Sequence, residues 1–476
     1  MLFRRIYDDK LAQASYFIGC QATGEALVVD PNRDAAQYLE VAQVEGMRLT
    51  HITETHIHAD FVSGARELAA KSGARLLLSG EGGASWSYLF AAESGAQLLH
   101  DGDEFMVGRL RLQVVHTPGH TPEHLAFILT DTPATDVPMG VFTGDFLFVG
   151  DVGRPDLLEK AANVTGSMEE SARQLYRSLQ NFKRLPDYLQ LWPGHGAGSA
   201  CGKALGAMPA STLGYERVAN WGLQAASEHE FVESVLTGQP DPPRYFARMK
   251  RVNRAGPPMR VEVRPRELDR DDLQSLIGGG TRLLDYRPAA EFAKRHIRGA
   301  INIPQNRQFT TWAGSLVPYD VPLALLGPAE RVDEAIRDLS LIGFDQIAGT
   351  ADSHLVDEWV AAGLPVGEVR RASVDQLRDA IANGDALVMD VRAQDEWDRG
   401  HLVGAMHCPL GRLPDEAAKF AGQEIYVHCQ GGSRSAIAAS LLLANGARSV
   451  TNVEDGFSAW EDANLPFVIG PTPTSG

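Results

Sequence analysis

His56-Ile57-His58-Ala59-Asp60 sets two imidazoles and a carboxylate at alternate positions of a short segment. Alternate side chains of an extended chain face the same way, so this group can converge on one ligand. Three more stretches bring the same residue types: His116-Thr117-Pro118-Gly119-His120, Phe142-Thr143-Gly144-Asp145 and Trp192-Pro193-Gly194-His195-Gly196. A single histidine is more often a surface or core residue than a ligand. Four such sets between residues 56 and 195, each beside small or turn residues, point to a metal centre. Far along the chain stands a lone thiol, in Cys429-Gln430-Gly431-Gly432-Ser433-Arg434. A cysteine at a strand end, with two glycines before a helix, can be ringed by backbone N–H groups. That ring, the helix N-terminus and Arg434 favour a thiolate. Donors along Gln430, Gly431, Gly432, Ser433 and Ser435 would hold a persulfide sulfur or a sulfur oxyanion. The chemistry this suggests is nucleophilic, with the Cys429 thiolate as the attacking group.

The elements that must position these groups can be read coarsely. Tyr16-Phe17-Ile18 and Ala26-Leu27-Val28-Val29 form a strand-turn-strand around Thr23-Gly24. A helix follows from Asp34, a candidate N-cap, and a strand leads into Thr53-Glu54-Thr55. Strands then alternate with helices to Trp192. Gln239 to Pro258 is rich in Pro and Arg without a clear period and reads as a linker. Beyond it lies an internal repeat. Leu284-Asp285-Tyr286-Arg287 recurs 105 residues later as Met389-Asp390-Val391-Arg392, and at the same offset Glu291, Phe292 and His296 match Glu396, Trp397 and His401. Ile297-Arg298-Gly299-Ala300 matches Leu402-Val403-Gly404-Ala405, and Pro304 matches Pro409. A period this long is a domain duplication rather than a solenoid. In each copy a strand precedes a helix and another strand, which predicts a parallel α/β sheet. Ile425-Tyr426-Val427-His428 reads as the strand before the cysteine, and Ser435 to Ala444 as the helix after it. The chain is therefore expected to be multidomain α/β, divided at 1–240, a linker 241–260, 261–367 and 368–470.

The cysteine loop resembles the rhodanese family, as do Asp390-Val391-Arg392, Glu396-Trp397, Gly400-His401-Leu402 and Gly404-Ala405 upstream and Gly456-Phe457-Ser458-Ala459-Trp460 downstream. Four residues separate the cysteine from the arginine, as in sulfurtransferases; the related phosphatases have five. The resemblance implies that Cys429 and Arg434 are catalytic. The first copy departs from the pattern. Where its cysteine should fall, around Ala324 to Leu326, the chain reads Pro322-Leu323-Ala324-Leu325-Leu326-Gly327, and no cysteine occurs between 202 and 407. That module is expected to be structural or a docking surface.

The histidine sets, in their order, resemble the metallo-β-lactamase superfamily, which implies an αββα sandwich with its metal at one edge of the two sheets. The superfamily's dinuclear zinc hydrolases usually follow the aspartate with a histidine for the second metal; here that position is Phe61. A second site built from Asp60, His195 and a shared Asp145 would lack that imidazole. The resemblance leaves His56, His120 and Asp145, the positions that bind iron in the superfamily's persulfide dioxygenases. A two-histidine, one-carboxylate set with open positions suits non-haem Fe(II), and one iron per chain is expected. His58, Asp60 and His195 would orient ligands or contact substrate, while His116 and His124 hold the loop. Arg154 could meet a substrate anion or pair with Asp156. Cys201 is either a thiol near the metal or a small buried residue, and Cys20 and Cys408 are read as core.

Composition narrows the partners. Asp and Glu number 61 against 44 Lys and Arg, which argues against nucleic acid. No apolar run approaches the roughly 18 residues a membrane span needs, and the start shows no signal-peptide pattern. Four widely spaced cysteines form no disulfide framework and fit a cytoplasmic compartment. The resemblances imply a persulfide dioxygenase domain, a cysteine-less rhodanese-like domain and an active rhodanese, with small thiol persulfides, O2, sulfite and thiosulfate as reactants in sulfide detoxification. A homo-oligomer is expected. Two rivals are a zinc thioesterase of the glyoxalase II type and a non-enzymatic sulfur-relay or redox-sensing adaptor.

Overall fold

The strands Gln13–Cys20, Leu125–Asp131 and Gly140–Gly144 of the first unit are buried on both faces because each face has its own core. The computed structural model describes residues 1–157, 168–203, 205–260, 264–384 and 386–470, and the chain divides into two compact units, Met1–Val261 with Ser340–Gly343 and Glu262–Leu339 with Phe344–Gly476. One sheet of the first unit runs in the order β1 (Leu2–Asp8), β2 (Gln13–Cys20), β3 (Glu25–Val29), β4 (Arg48–Thr53), β5 (Arg75–Ser79), β6 (Gln97–Leu99). The other contains β7 (Glu104–Val107), β8 (Leu110–His116), β9 (Leu125–Asp131), β10 (Gly140–Gly144), β11 (Gln190–Pro193) and β12 (Ser211–Thr212), in neighbouring order. Tyr16 and Ile18 of β2 join Leu125, Phe127 and Leu129 of β9 in the core between the sheets. The alternate residues go outward: Phe17 packs with α1 (Ala35–Val44) and α2 (Ala65–Ser72), and Ala126 and Ile128 pack with α3 (Met168–Phe182). Ala172, Leu175, Leu179 and Phe182 make one apolar stripe along α3. This is the αββα sandwich expected from the sequence.

Within the stretch read as a linker, residues 246–255 form α4 (Phe246–Ala255). Its inner face is only Phe246, Met249 and Asn253, among three arginines and a lysine, so the helical period is nearly invisible in the sequence. Residues 261–263, where the sequence reading starts the next module, lie outside the described residues.

The second unit holds two all-parallel sheets. The first has the order β15 (Ile301–Asn302), β13 (Arg282–Asp285), β16 (Leu323–Gly327), β17 (Ile347–Asp352). A small antiparallel pair, β14 (His296–Ile297) with β18 (Val366–Gly367), stands beside it. The second has the order β19 (Arg370–Ala372), β23 (Ser449–Val453), β22 (Glu424–His428), β20 (Val388–Asp390), β21 (Met406–His407). Helix α5 (Ser433–Ala444) follows the cysteine loop, and Ser440 on it accepts the Asn302 N–H at 2.9 Å, tying one repeat to the other. Among the described residues, no helix is long and apolar enough to cross a membrane.

Candidate functional site

Four loops carry the histidine sets to one place. His56, His58 and Asp60 follow β4, His120 lies between β8 and β9, Asp145 directly follows β10, and His195 follows β11. The metal-ligand atoms of His56, His120 and Asp145 lie within 4.8 Å of one another, and all three residues are buried. His56 Nε2 is 3.9 Å and His120 Nε2 3.6 Å from Asp145 Oδ2, while His195 Nε2 is 3.4 Å from Asp145 Oδ1.

The far nitrogens are tied down. His120 Nδ1 donates to the Arg154 carbonyl at 3.2 Å, and His195 Nδ1 to the Ala12 carbonyl at 2.9 Å. The Thr55 hydroxyl donates to Asp30 Oδ2 and so accepts from His56 Nδ1, both at 2.9 Å. With those protons fixed outside, each Nε2 presents a lone pair to the centre, as metal ligation requires. Burial, reinforced by neighbouring imidazoles, holds His56 well below its ordinary pKa, and burial takes His120 down to about 3. Burial pushes the Asp145 carboxyl up to about 6. Neither of its oxygens carries a hydrogen bond. A buried carboxylate without a donor is costly, and a cation between it and the two imidazoles would remove that cost. The donor set therefore fits a metal ion.

The structure separates the other predicted residues. His58 turns its Nε2 to Asp30 at 3.2 Å. Despite burial, Asp30 raises it to about 9, so His58 supports His56 through Asp30 and Thr55. His195 is raised against burial by Asp145 and Asp60, and lies 3.3 Å from Asp60 Oδ2. Cys201 is buried beside them, its thiol pushed well above the ordinary range by burial and by Asp145 and Asp60. Arg154 takes the ion-pair alternative: Nε and Nη2 grip Asp156 at 2.9 and 2.8 Å, and Nη1 and Nη2 also donate to the carbonyls of Ala200 and Pro240. Its side chain is fully buried and spoken for, so it does not stand open to a substrate anion. His124 accepts the Asp145 N–H at 3.1 Å and His116 bonds the Pro122 carbonyl at 2.7 Å, both holding the loop.

Sequence reasoning missed two supports. Asp30, directly after the buried strand β3, reaches Thr55 and His58. Asn253 on α4 donates to the carbonyls of His58 and Phe61, both at 2.7 Å, and accepts the Ser63 N–H at 2.9 Å. An aspartate directly after the apolar run Ala26-Leu27-Val28-Val29 was a legible signal for the first; nothing local marked the second.

At the other centre Cys429 is fully buried at the end of β22. Its Sγ accepts the Gly432 N–H at 3.2 Å and the Ser435 hydroxyl at 3.5 Å. Arg434 is gripped by Glu396 at 2.6 and 2.7 Å while also facing the cysteine. Gln430 turns away: its amide donates to Ser458 Oγ at 2.9 Å and its oxygen accepts from Arg392 at 3.1 Å. The loop is exposed at Gly431 and Ser433. Phe457 and Ser458 N–H groups, at the start of the helix Gly456–Asp462, hold the carbonyls of Cys429 and Gln430.

In the first repeat the position of the missing nucleophile moves. Leu326 pairs with Asp285 as His428 pairs with Asp390, so the counterpart of Cys429 is Gly327, not a residue from Ala324 to Leu326. Between the aspartate and this strand end the first repeat is three residues longer than the second, so the offset falls here from 105 to 102 residues. A Cβ at Gly327 would lie 2.3–2.5 Å from the Tyr286 ring. That ring fills the place a thiol would take, and its hydroxyl donates to the Pro328 carbonyl at 3.0 Å. Cys20 and Cys408 are buried, as expected of core residues.

The family model of the metallo-beta-lactamase superfamily matches residues 8–195, and that of the rhodanese-like domain matches residues 269–328 and 373–463. The chain is similar to the mitochondrial persulfide dioxygenase ETHE1 of Bos taurus, at 30% identity over 200 residues, 41% of this chain and 68% of that protein. It is similar to a hydroxyacylglutathione hydrolase of Rhodospirillum rubrum at the same 30% identity over 180 residues, 38% of this chain and 60% of that protein. A crystal structure of a metallo-beta-lactamase from Staphylococcus aureus subsp. aureus COL superposes with a TM-score of 0.69 at 45% identity, covering 74% of this chain and 99% of that one.

Proposed function

We propose, for a chain that belongs to the metallo-β-lactamase superfamily and carries rhodanese-like domains behind that module, two linked sulfur reactions. The first is oxidation of a small thiol persulfide by O2 and water to thiol and sulfite, with one Fe(II) held by His56, His120 and Asp145. The second is transfer of sulfane sulfur by Cys429, giving thiosulfate. The observation that carries the first is the convergence of two imidazole Nε2 atoms on a buried carboxylate free of hydrogen bonds, with Phe61 where a second-site imidazole would stand.

Iron bound there would supply open positions for sulfur and O2 together. The chain's own residues do the rest. Thr55, the Arg154 carbonyl and the Ala12 carbonyl keep the proton of each imidazole on the outer nitrogen. Asn253 fixes the backbone between His58 and Phe61, so the loop cannot swing open. Burial of the whole set excludes bulk water from a reactive sulfur species.

At the second centre the Cys429 thiolate attacks the outer sulfur of a persulfide. The S–S bond breaks, the thiol leaves with the proton, and Cys429 holds a persulfide. Sulfite then attacks that terminal sulfur, thiosulfate departs, and the thiolate returns. The Gly432 N–H and Ser435 hydroxyl stand where sulfur bears negative charge in both states.

The rival reading, a zinc thioesterase, rests on the equal identity to hydroxyacylglutathione hydrolase. Metal analysis combined with O2 uptake on glutathione persulfide and hydrolysis of a glutathione thioester separates them. The dioxygenase reading expects iron-dependent O2 uptake and negligible thioester hydrolysis; zinc-dependent hydrolysis without O2 uptake would overturn it.

A further inference from the structure

One side chain of the cysteine loop could bind an anion, Arg434, and the structure commits it elsewhere. Its Nη1 and Nη2 donate to the two oxygens of Glu396 at 2.6 and 2.7 Å. Against burial, Arg434 and the Ala393 N–H hold the Glu396 carboxyl below its ordinary range, so the partner is ionised. The other arginine at the loop, Arg392, is paired with Asp390 and gives its remaining donors to Gly400 and Gln430. From Gln430 to Ser433 the loop carries no charge. The Cys429 sulfur is thus met by the Gly432 N–H and the Ser435 hydroxyl, while both arginines at the loop are neutralised. We propose that Glu396 sets the donor specificity of this centre: by neutralising Arg434 it fits the loop to small-thiol persulfides rather than thiosulfate, and leaves sulfur oxyanions weakly held. The proposal rests on the reading of Cys429 as the sulfur carrier.

The two donors differ in the charge they bring. With thiosulfate the S–S bond breaks, sulfite leaves with the electron pair, and Cys429 keeps the outer sulfur. With a thiol persulfide the thiol leaves with the pair and a proton. Thiosulfate carries two negative charges, and its oxygens are held best by a cation. A persulfide group carries at most one charge, on the sulfur that the Gly432 N–H and Ser435 hydroxyl already face. A bidentate arginine–carboxylate pair offers an incoming anion little net charge. Sulfite enters and thiosulfate leaves through the same place, so the weak holding applies to both. The first repeat shows that the frame does not need the pairing. There Val332 stands at the counterpart of Arg434, and Glu291, the match of Glu396, is exposed and grips no arginine among the described residues.

The test compares full-length wild-type and Glu396→Gln protein in sulfur transfer from thiosulfate and from glutathione persulfide, without O2 so that the metal centre leaves the persulfide intact. Glutamine can still accept the Ala393 N–H. Freeing Arg434 should lower KM for thiosulfate, and KM for sulfite as acceptor, by roughly tenfold, the order expected from removing one nearby charge. KM for glutathione persulfide should change by less than about twofold, since its transferred sulfur does not depend on the arginine. A structural defect alone would not tighten binding of the oxyanions. An unchanged thiosulfate KM in the folded variant overturns the proposal, as does wild-type protein that uses thiosulfate as efficiently as the persulfide. Should the variant misfold, the wild-type protein decides: KM for thiosulfate should not rise with ionic strength, because no free cation is being screened. A steep rise would contradict the proposal. Failure of the Cys429 reading shows separately, as transfer from both donors that survives Cys429→Ser.

Discussion

In both repeats of the second unit an aspartate at a strand end grips the arginine two residues on, Asp285 with Arg287 at 2.6 Å and Asp390 with Arg392 at 2.7 Å. In both an aromatic ring stacks on a histidine, Phe292 on His296 at 3.8 Å and Trp397 on His401 at 3.6 Å. In both a tryptophan N–H donates to a proline carbonyl at 3.1 Å, Trp359 to Pro365 and Trp460 to Pro466. The repeats part at one strand end. The second has His428, Cys429 and a glycine loop, with Val391 alongside; the first has Leu326, Gly327 and Pro328, with the Tyr286 ring closing the space. His428 stands 3.6 Å from Asp390, and with Arg392 it outweighs burial to hold that carboxyl below its ordinary range. Asp285 has no such neighbour, and burial raises it in spite of Arg287. The frame therefore depends on ion pairs and stacks shared by both copies, while the chemistry depends on one strand end that can be filled without disturbing the frame.

The sharpest way to break this contrast is Cys429→Ser. It should lower thiosulfate:thiol sulfurtransfer by roughly a thousandfold or more, because serine in that loop cannot form the persulfide intermediate, while O2 uptake on persulfide persists. Near-normal transfer would remove Cys429 from the reaction. Next in size, Asp390→Asn leaves Arg392 buried without its counter-charge and should cost about 3–5 kcal/mol. Asp285→Asn should cost less at neutral pH, since its carboxylate is already disfavoured by burial. Denaturant unfolding of the two variants compares them, and equal losses would erase the distinction.

Gly456→Ala acts on the second repeat alone. Gly456 has φ +60° and a Cβ there would meet the Cys429 carbonyl oxygen at 2.5 Å. A left-handed conformation costs a non-glycine residue roughly 1–2 kcal/mol, and the clash would displace the loop, so transfer activity should fall more than stability. Smallest is the converse experiment: Gly327→Cys in a Cys429→Ser background should restore no sulfurtransfer, because Tyr286 occupies the thiol's place. Regained activity would show that the first repeat lacks only its nucleophile.

Much of this was legible in the residues. The apolar runs Tyr16-Phe17-Ile18 and Ala26-Leu27-Val28-Val29 declared their strands, and Cys429-Gln430-Gly431-Gly432 declared its loop. The histidine sets were legible because each sits beside a turn residue at a strand end. Helix α4 was not, because its key inward residue is Asn253, whose value lies in hydrogen bonds to a loop 190 residues earlier. The counterpart of Cys429 was placed at Ala324 to Leu326, just short of Gly327, since sequence offset cannot register a spacer of different length that only strand pairing reveals. For Cys201 the sequence left two readings open, a thiol near the metal or a small buried residue, and the fold sets it beside Asp60 and His195.

The central claim is that a metal at His56, His120 and Asp145 oxidises persulfide sulfur apart from the cysteine that transfers it. Its most direct test is O2 uptake and sulfite formation on glutathione persulfide by iron-loaded Cys429→Ser protein, beside the same protein carrying His120→Ala. The account predicts O2 consumed and sulfite formed in equal amounts by the first, with both lost in the second together with the iron. No O2 uptake by the folded, iron-loaded protein, or uptake that survives His120→Ala, would contradict it.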